Sequence, residues 1–315
     1  MKSLRIGFIG NFVPQFSTEN DRKWSFEKLG HTVIALQENK TRINDVMRVA
    51  ENSDLIIYSH THDPSYIIPQ LKEAFIELKR IGKKTASVHL DRFAWLKRES
   101  DMGNEATWFT EHIFMADGSP EAVELYKKYN LNWHYLRPGV VERDCYMATP
   151  NRTLYPHDIV FVGSKGYHPE YPFRPKLVEW LHDTYGDKFA HYGNDGIRVM
   201  RGNDLNVLYA SAKIVVGDSC FGGRDNYVSD RYYETRGRGG FLLHPKVFGV
   251  DAEGLGHYKT GQLSDLKDAI DFYLKNPAIR EKRRVDGFDW VKANETYTNR
   301  AQEILNTIFP TEQSI

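Results

Sequence analysis

The chain has 315 residues, 41% of them apolar, which is enough for one large core or two of about 150 residues each. Lys and Arg number 42 and Asp and Glu 42, so no overall field draws it to nucleic acid or an anionic membrane, although a local basic groove stays compatible. Cys145 and Cys220 lie far apart and form no CxxC pair, which removes a disulfide framework and the usual zinc signature.

In chain order, Leu4 to Gly10 predicts a first strand, too short an apolar run for a signal-peptide core. Asp21 to Leu29 predicts a helix, and His31 to Leu36 a second strand in which His31 merely follows the helix-ending Gly30. Strands at Asp54 to Ser59 and Lys84 to His89 flank a helix at Tyr66 to Ile81; a helix at Pro120 to Tyr129 leads to a strand at Trp133 to Leu136. Pro138 to His157 is irregular and supplies the linker. The alternation restarts with strand Asp158 to Gly163, helix Arg174 to Tyr185, strand Lys188 to Tyr192 and helix Asp204 to Ala210. Strand Lys213 to Gly217, helix Arg231 to Arg238, strand Gly240 to His244 and helices at Ser264 to Lys275, Ala278 to Ala293 and Glu295 to Phe309 complete it. Continuous apolar strands separated by helices predict an α/β fold with parallel sheets covered on both faces. The expected layout is two Rossmann-like domains facing across a cleft, at 1–143 and 158–293. A linker at 144–157 separates them, and a C-terminal helix at 294–315 is expected to pack back on the first domain. No stretch approaches the ~20 apolar residues needed to cross a bilayer, so a soluble, cytoplasmic protein without membrane insertion is expected.

Ligands of open parallel sheets bind at the carboxyl ends of the strands, which selects the loops after Gly10, Ser59, His89, Gly163, Gly217 and His244. The first strand lacks the GxGxxG dinucleotide fingerprint, and no P-loop, HExxH, Asp-x-Asp or G-x-S-x-G pattern is present. After Gly163, glycines let backbone amides approach an anion, and Lys165 with Arg174 at the next helix start offers charge for phosphate oxygens. The alternative is a surface loop with solvated charges. In Asp230-Arg-Tyr-Tyr-Glu-Thr-Arg-Gly-Arg-Gly-Gly, Arg231 and Glu234 share a helix face, a carboxylate suited to ribose hydroxyls beside a guanidinium suited to diphosphate. The competing reading is an Arg–Glu pair on an ordinary surface helix. Gly237, Gly239 and Gly240 are expected to bring helix and strand together, with Arg236 and Arg238 left to solvent. Trp95 and Trp108 could stack on a sugar or base, or simply pack.

The Arg-x-x-Glu pattern followed by glycines and an apolar strand resembles the nucleotide-sugar site of GT-B glycosyltransferases. It is similar to the "glycosyl transferases group 1" type domain of spore-maturation-protein-like enzymes. Ile159-Val-Phe-Val-Gly-Ser164, Asp204-Leu-Asn-Val-Leu-Tyr-Ala210 with Lys213-Ile-Val-Val-Gly-Asp218, and the tail from Leu266 through Asn276-Pro277 to Arg300 stand in the matching order. The fit is looser in the first half, through Ser17-Thr-Glu-Asn20 and Leu29-Gly-His-Thr-Val33.

The resemblance implies a metal-independent, retaining transfer from a nucleotide-diphosphate sugar as co-substrate, with no other cofactor. Donor binding then falls to Gly163, Ser164, Arg231, Tyr232 and Glu234, and the chemistry to Lys165, Arg174, His89 and Asp91, the last two being candidate bases if the reaction inverts. Acceptor-side positions are Asn11, Ser17, Thr18, His60 and His62. No metal ligand set is implied at His60 and His62, and Asp63 and Asp91 suit caps or turns. The acceptor is a glycan, a small molecule or a hydroxylated base in DNA. Where the larger class often has a second glutamate eight residues before the ribose glutamate, this chain has Asn226. A GT-B-like epimerase or phosphorylase, or a non-catalytic nucleotide-sugar binding protein, would share the same nucleotide site.

Overall fold

The computed structural model describes residues 2–59, 68–166 and 168–310. The chain separates into two compact units, Met1–Arg137 with Tyr297–Ile315, and Pro138–Thr296.

The first unit is a six-stranded parallel sheet in the order β2-β1-β3-β4-β5-β6. Its strands are β1 (Arg5–Gly10), β2 (Thr32–Gln37), β3 (Leu55–Tyr58), β4 (Lys84–His89), β5 (His112–Met115) and β6 (Trp133–Tyr135). Helices α1 (Thr18–Lys28), α2 (Ile43–Glu51), α3 (Leu71–Arg80) and α4 (Pro120–Lys128) connect them. Because strand side chains alternate, each strand feeds two cores. Ile6, Phe8, Ile57, Val88 and Phe114 pack with Phe26 of α1 on one face. Ile9, Ile56 and Tyr58 pack with Val46, Phe75 and Leu78 of α2 and α3 on the other. The final helix α10 (Tyr297–Ile308) adds Ala301, Ile304, Leu305 and Ile308 to the first of these cores. α1 starts three residues before the expected Asp21, because Ser17 caps it by accepting from the Asn20 amide.

The second unit is a five-stranded parallel sheet in the order β11-β10-β9-β7-β8. It comprises β7 (Ile159–Val162), β8 (Phe189–Tyr192), β9 (Ile214–Val216), β10 (Leu242–Pro245) and β11 (Gly256–Tyr258). Helices α5 (Phe173–Tyr185), α6 (Gly202–Ser211), α7 (Arg231–Gly237), α8 (Leu263–Lys275) and α9 (Pro277–Asn294) cover it. Ile159, Phe161, Ile214 and Leu243 bury against α5 and α8, while Val160, Val162, Val215 and Leu242 bury against Leu208, Tyr209, Tyr232 and Val291. The stretch 144–157 packs within this unit. Cys145 and Tyr155 are buried in its core, and Asn206 Nδ2 donates to the carbonyls of Asp144 and Tyr146, both at 2.9 Å. Gly237 brings α7 against the Val140 and Val291 side chains rather than against the following strand; a Cβ there would lie 2.6 Å from Val140 Cγ1. Among the described residues, no helix is long and apolar enough to cross a membrane.

Candidate functional site

β7 ends in Gly163, whose φ of +134° is a conformation that L side chains rarely adopt. The missing side chain has a second reason: a Cβ would lie 2.5 Å from Nη1 of Arg231. The guanidinium of Arg231, the first residue of α7, therefore lies directly on the Gly163 backbone. Its Nε is buried, and among the described residues the guanidinium makes no hydrogen bond or ion pair. Burial, and then the like charge of Arg174, press its pKa below the ordinary arginine range. A buried cationic donor without an acceptor is costly, so such a group in a native fold calls for an explanation.

Arg174, on the first turn of α5, is tied down instead. Its Nε donates to Oδ2 of Asp218 at 3.2 Å and its Nη2 to the Asp218 carbonyl at 3.3 Å. Tyr171 donates its hydroxyl to the other oxygen of that carboxylate at 3.1 Å. Burial opposes the Arg174 charge, but the Asp218 carboxylate outweighs it and raises its pKa. Asp218, at the carboxyl end of β9, is thus a member of the site that the sequence pattern did not single out. Two guanidinium groups feel each other here, and one of them holds the available carboxylate.

Glu234 is partly exposed one turn along α7. One carboxylate oxygen accepts from Nε of Arg238 at 3.2 Å, so its partner is Arg238 and not Arg231. Arg236 and Arg238 are not solvent groups. Arg238 is 4% exposed and also reaches Asp144 Oδ2 at 2.5 Å and Asn206 Oδ1 at 2.6 Å. Arg236 pairs with Asp251 at 2.8 Å. Tyr232, expected at the nucleotide, instead faces the core: it is fully buried, with its hydroxyl on the Asp251 carbonyl at 2.6 Å and its ring against His244.

The loop after Gly163 forms an anion nest, but a carboxylate of the chain fills it. The amides of Lys165 and Gly166 donate to Asp195 Oδ2 at 3.0 and 3.3 Å. His191 of β8 steadies the same loop through a 2.7 Å contact between its Nε2 and the Gly163 carbonyl. Ser164 and the Lys165 side chain are half-buried beside it. Asn226 takes a left-handed φ of +54° and lays its amide against Gly249.

In the first unit, Asn11 follows β1 and accepts from Gln37 Nε2 at 3.2 Å; Ser17 is the helix cap and Thr18 the first residue of α1. His60, His62 and Asp63 lie outside the described residues. His89 ends β4 with its ring 4.7 Å from that of Phe93, and Asp91 is paired with Arg98 at 3.2 Å. His31 Nδ1 accepts from the Leu4 amide at 3.1 Å, a purely structural bond. Among the described residues, no three His, Cys, Asp or Glu side chains gather at metal-binding spacing.

Residues 172–306, which contain Arg174, Asp218, Arg231 and Glu234, match the family model described as glycosyl transferase-like. That stretch is thus similar to glycosyl transferase-like domains. No curated protein matches the sequence. Among solved structures, HepE from Anabaena, crystallised with UDP and glucose, aligns over 96% of this chain and 99% of its own at 11% identity, with a TM-score of 0.67. A UDP-forming α,α-trehalose-phosphate synthase from Burkholderia xenovorans aligns over 98% and 99% at 10% identity, with a TM-score of 0.64. Sucrose-phosphate synthase from Thermosynechococcus elongatus aligns over 97% and 98% at 11% identity, with a TM-score of 0.59. The two-unit α/β architecture is the GT-B fold.

Proposed function

We propose that the chain transfers a sugar from a nucleoside-diphosphate donor, UDP-linked in the first instance, without a metal and with retention of configuration. The observation that carries this reading is the unpartnered guanidinium of Arg231 against Gly163 at the carboxyl end of β7. A diphosphate supplies the acceptor that Arg231 lacks, and Arg174, held in orientation by Asp218, adds a second charge. As the glycosidic bond breaks, negative charge grows on the leaving diphosphate, and two fixed guanidinium groups stabilise it where a metal-dependent enzyme would use a cation. In this reading Glu234 accepts ribose hydroxyls through the oxygen that Arg238 does not engage. UDP is bound in the HepE structure and is the product that names the UDP-forming trehalose-phosphate synthase, which makes it the first donor nucleotide to test.

Retention requires no base from the protein. Of the two candidates for an inverting base, Asp91 is paired with Arg98 at 3.2 Å. Asn226, standing where a second acidic residue would touch the donor sugar, turns its amide to Gly249, so sugar hydroxyls are read by other groups.

The test is a thermal-shift screen of nucleoside diphosphates and their sugars, followed by turnover of the best donor with chelator present. Binding should raise the melting temperature increasingly as ligand exceeds its dissociation constant, and turnover should survive chelation. No shift with any nucleotide would overturn the donor reading; loss of turnover on chelation would overturn the metal-free one. Conversion of the donor with no acceptor present would point to an epimerase.

A further inference from the structure

The loop after β4, from Asp91 to Glu99, treats its apolar residues unevenly. Phe93, Ala94 and Leu96 are buried, yet Trp95 between them is 46% exposed. Its φ is +67°, in the left-handed region that a bulky residue occupies only when its surroundings impose it. Trp108, the other candidate stacking ring, packs edge-on against Phe93 and is buried.

The surroundings that impose this conformation can be named. The Trp95 amide donates to Glu99 Oε2 at 2.9 Å, and Leu96 closes a turn on the Phe93 carbonyl at 3.0 Å. Beneath the indole lies the guanidinium of Arg92, 4.9 Å from the ring centroid. That guanidinium is fully buried and anchored to the Ala94 carbonyl at 2.9 Å and Glu121 at 2.5 Å. One face of the ring is thus covered by a fixed cation, and nearly half of the residue is displayed to solvent. The display occurs at the carboxyl end of a central strand, where open parallel sheets take ligands. In the same loop Asp91 pairs with Arg98, their side chains 30% and 13% exposed, and Arg98 Nε donates to the carbonyl of Arg92, the residue under the indole, at 2.7 Å.

We propose that Trp95 is the platform of an acceptor site for carbohydrate, a pyranose ring lying on the indole with its hydroxyls directed at the Asp91–Arg98 pair. This deepens the proposed sugar transfer and rests on it for the word acceptor. An indole supplies a rigid apolar plate, and a carboxylate next to a guanidinium offers an acceptor and donors for adjacent hydroxyls. Single-stranded nucleic acid also stacks on aromatic rings, but it needs a positively charged track beside them. Here Arg92 is paired with Glu121, and Arg98 with Asp91, so the loop's guanidinium charge is already balanced.

The experiment uses the full-length protein, with and without UDP, on an array of immobilised pyranose-terminated glycans and on single-stranded oligonucleotides. Wild type should bind a subset of the glycans; Trp95→Ala should weaken that binding at least tenfold and Trp95→Phe no more than a few-fold. Trp95→Gly is the decisive variant, because glycine suits the left-handed backbone: it should melt no lower than wild type and still lose the glycan. UDP affinity by calorimetry should be the same in all four proteins. Unchanged glycan binding in Trp95→Gly, binding of oligonucleotide in place of glycan, or binding of neither overturns the proposal. Absence of UDP binding in wild type with Trp95-dependent glycan binding intact would instead overturn the donor assignment alone.

Discussion

Replacing Arg231 by methionine separates a ligand-binding arginine from a structural one by the sign of its effect on stability. Methionine keeps most of the unbranched stem and removes the guanidinium, whose Nε is buried without an acceptor. Leaving a buried donor unsatisfied costs about 1–3 kcal/mol, more for a charged group, so the ligand-free variant should be as stable as wild type or up to about 2 kcal/mol more stable. Hydrogen bonds from a guanidinium to phosphate contribute about 1.5–3 kcal/mol each. Loss of one or two of them should therefore weaken UDP by about 2–4 kcal/mol, roughly 30- to 1,000-fold. Denaturant unfolding without ligand gives the first quantity and calorimetry with UDP the second. A variant that unfolds more readily and binds UDP as well as wild type would refute the reasoning, since it would make Arg231 a packing residue.

Glu234→Gln keeps the shape of the proposed ribose contact and removes its charge; UDP should bind about tenfold more weakly while the free base is unaffected, and equal affinity would remove the ribose role. Stability should fall with acidity below pH 6.5 through His244, which burial holds down to about 3 in the fold. The unfolded chain takes up that proton near pH 6.5 and the folded chain does not, so stability is complete above 6.5 and lost as pH falls toward 3. By pH 5 the loss is about 2 kcal/mol from this residue. His244→Gln, which can still accept from Ser219, should flatten that part of the profile in denaturant unfolding; an unchanged slope would show that the imidazole is not responsible.

Both parallel sheets were legible because short apolar runs such as Ile6 to Ile9 and Ile159 to Val162, ended by glycine and alternating with longer helical stretches, suit strands buried on two faces. β5 and β11 escaped: three apolar residues after a histidine, and a glycine-led triplet, are too short for any periodicity to register. At the site, the spacing of Arg231 and Glu234 was visible, but the identity of each arginine's partner was not. Asp144 lies 94 residues from Arg238 and Asp218 lies 44 from Arg174, and only the fold brings them together. Three arginines within eight residues therefore read alike in the sequence. The structure divides them by partner: Arg236 has Asp251, Arg238 has Asp144 and Glu234, and the Arg231 guanidinium has neither hydrogen bond nor ion pair among the described residues. Trp95 and Trp108 differ for the same reason, since residue type alone does not say which of two rings a loop will bury.

The same reasoning about partners bears on the loop after Gly163. Its amides looked like the phosphate cradle, yet those of Lys165 and Gly166 already bond the Asp195 carboxylate. An incoming diphosphate would have to displace a carboxylate tethered at high effective concentration, whereas the Arg231 guanidinium pairs with no carboxylate among the described residues. Affinity should therefore come chiefly from Arg231 and Arg174, with Asp195 serving to hold the loop in shape. Asp195→Ala decides between the two arrangements. If Asp195 is a permanent tie, its loss frees the loop and UDP binding stays within about threefold or weakens, because ordering the loop must then be supplied by the ligand. If the nest is the phosphate site, removing the competitor should tighten UDP by about tenfold or more. Calorimetry at one pH reads the difference directly, and tighter binding would move the diphosphate from the arginines to the loop amides.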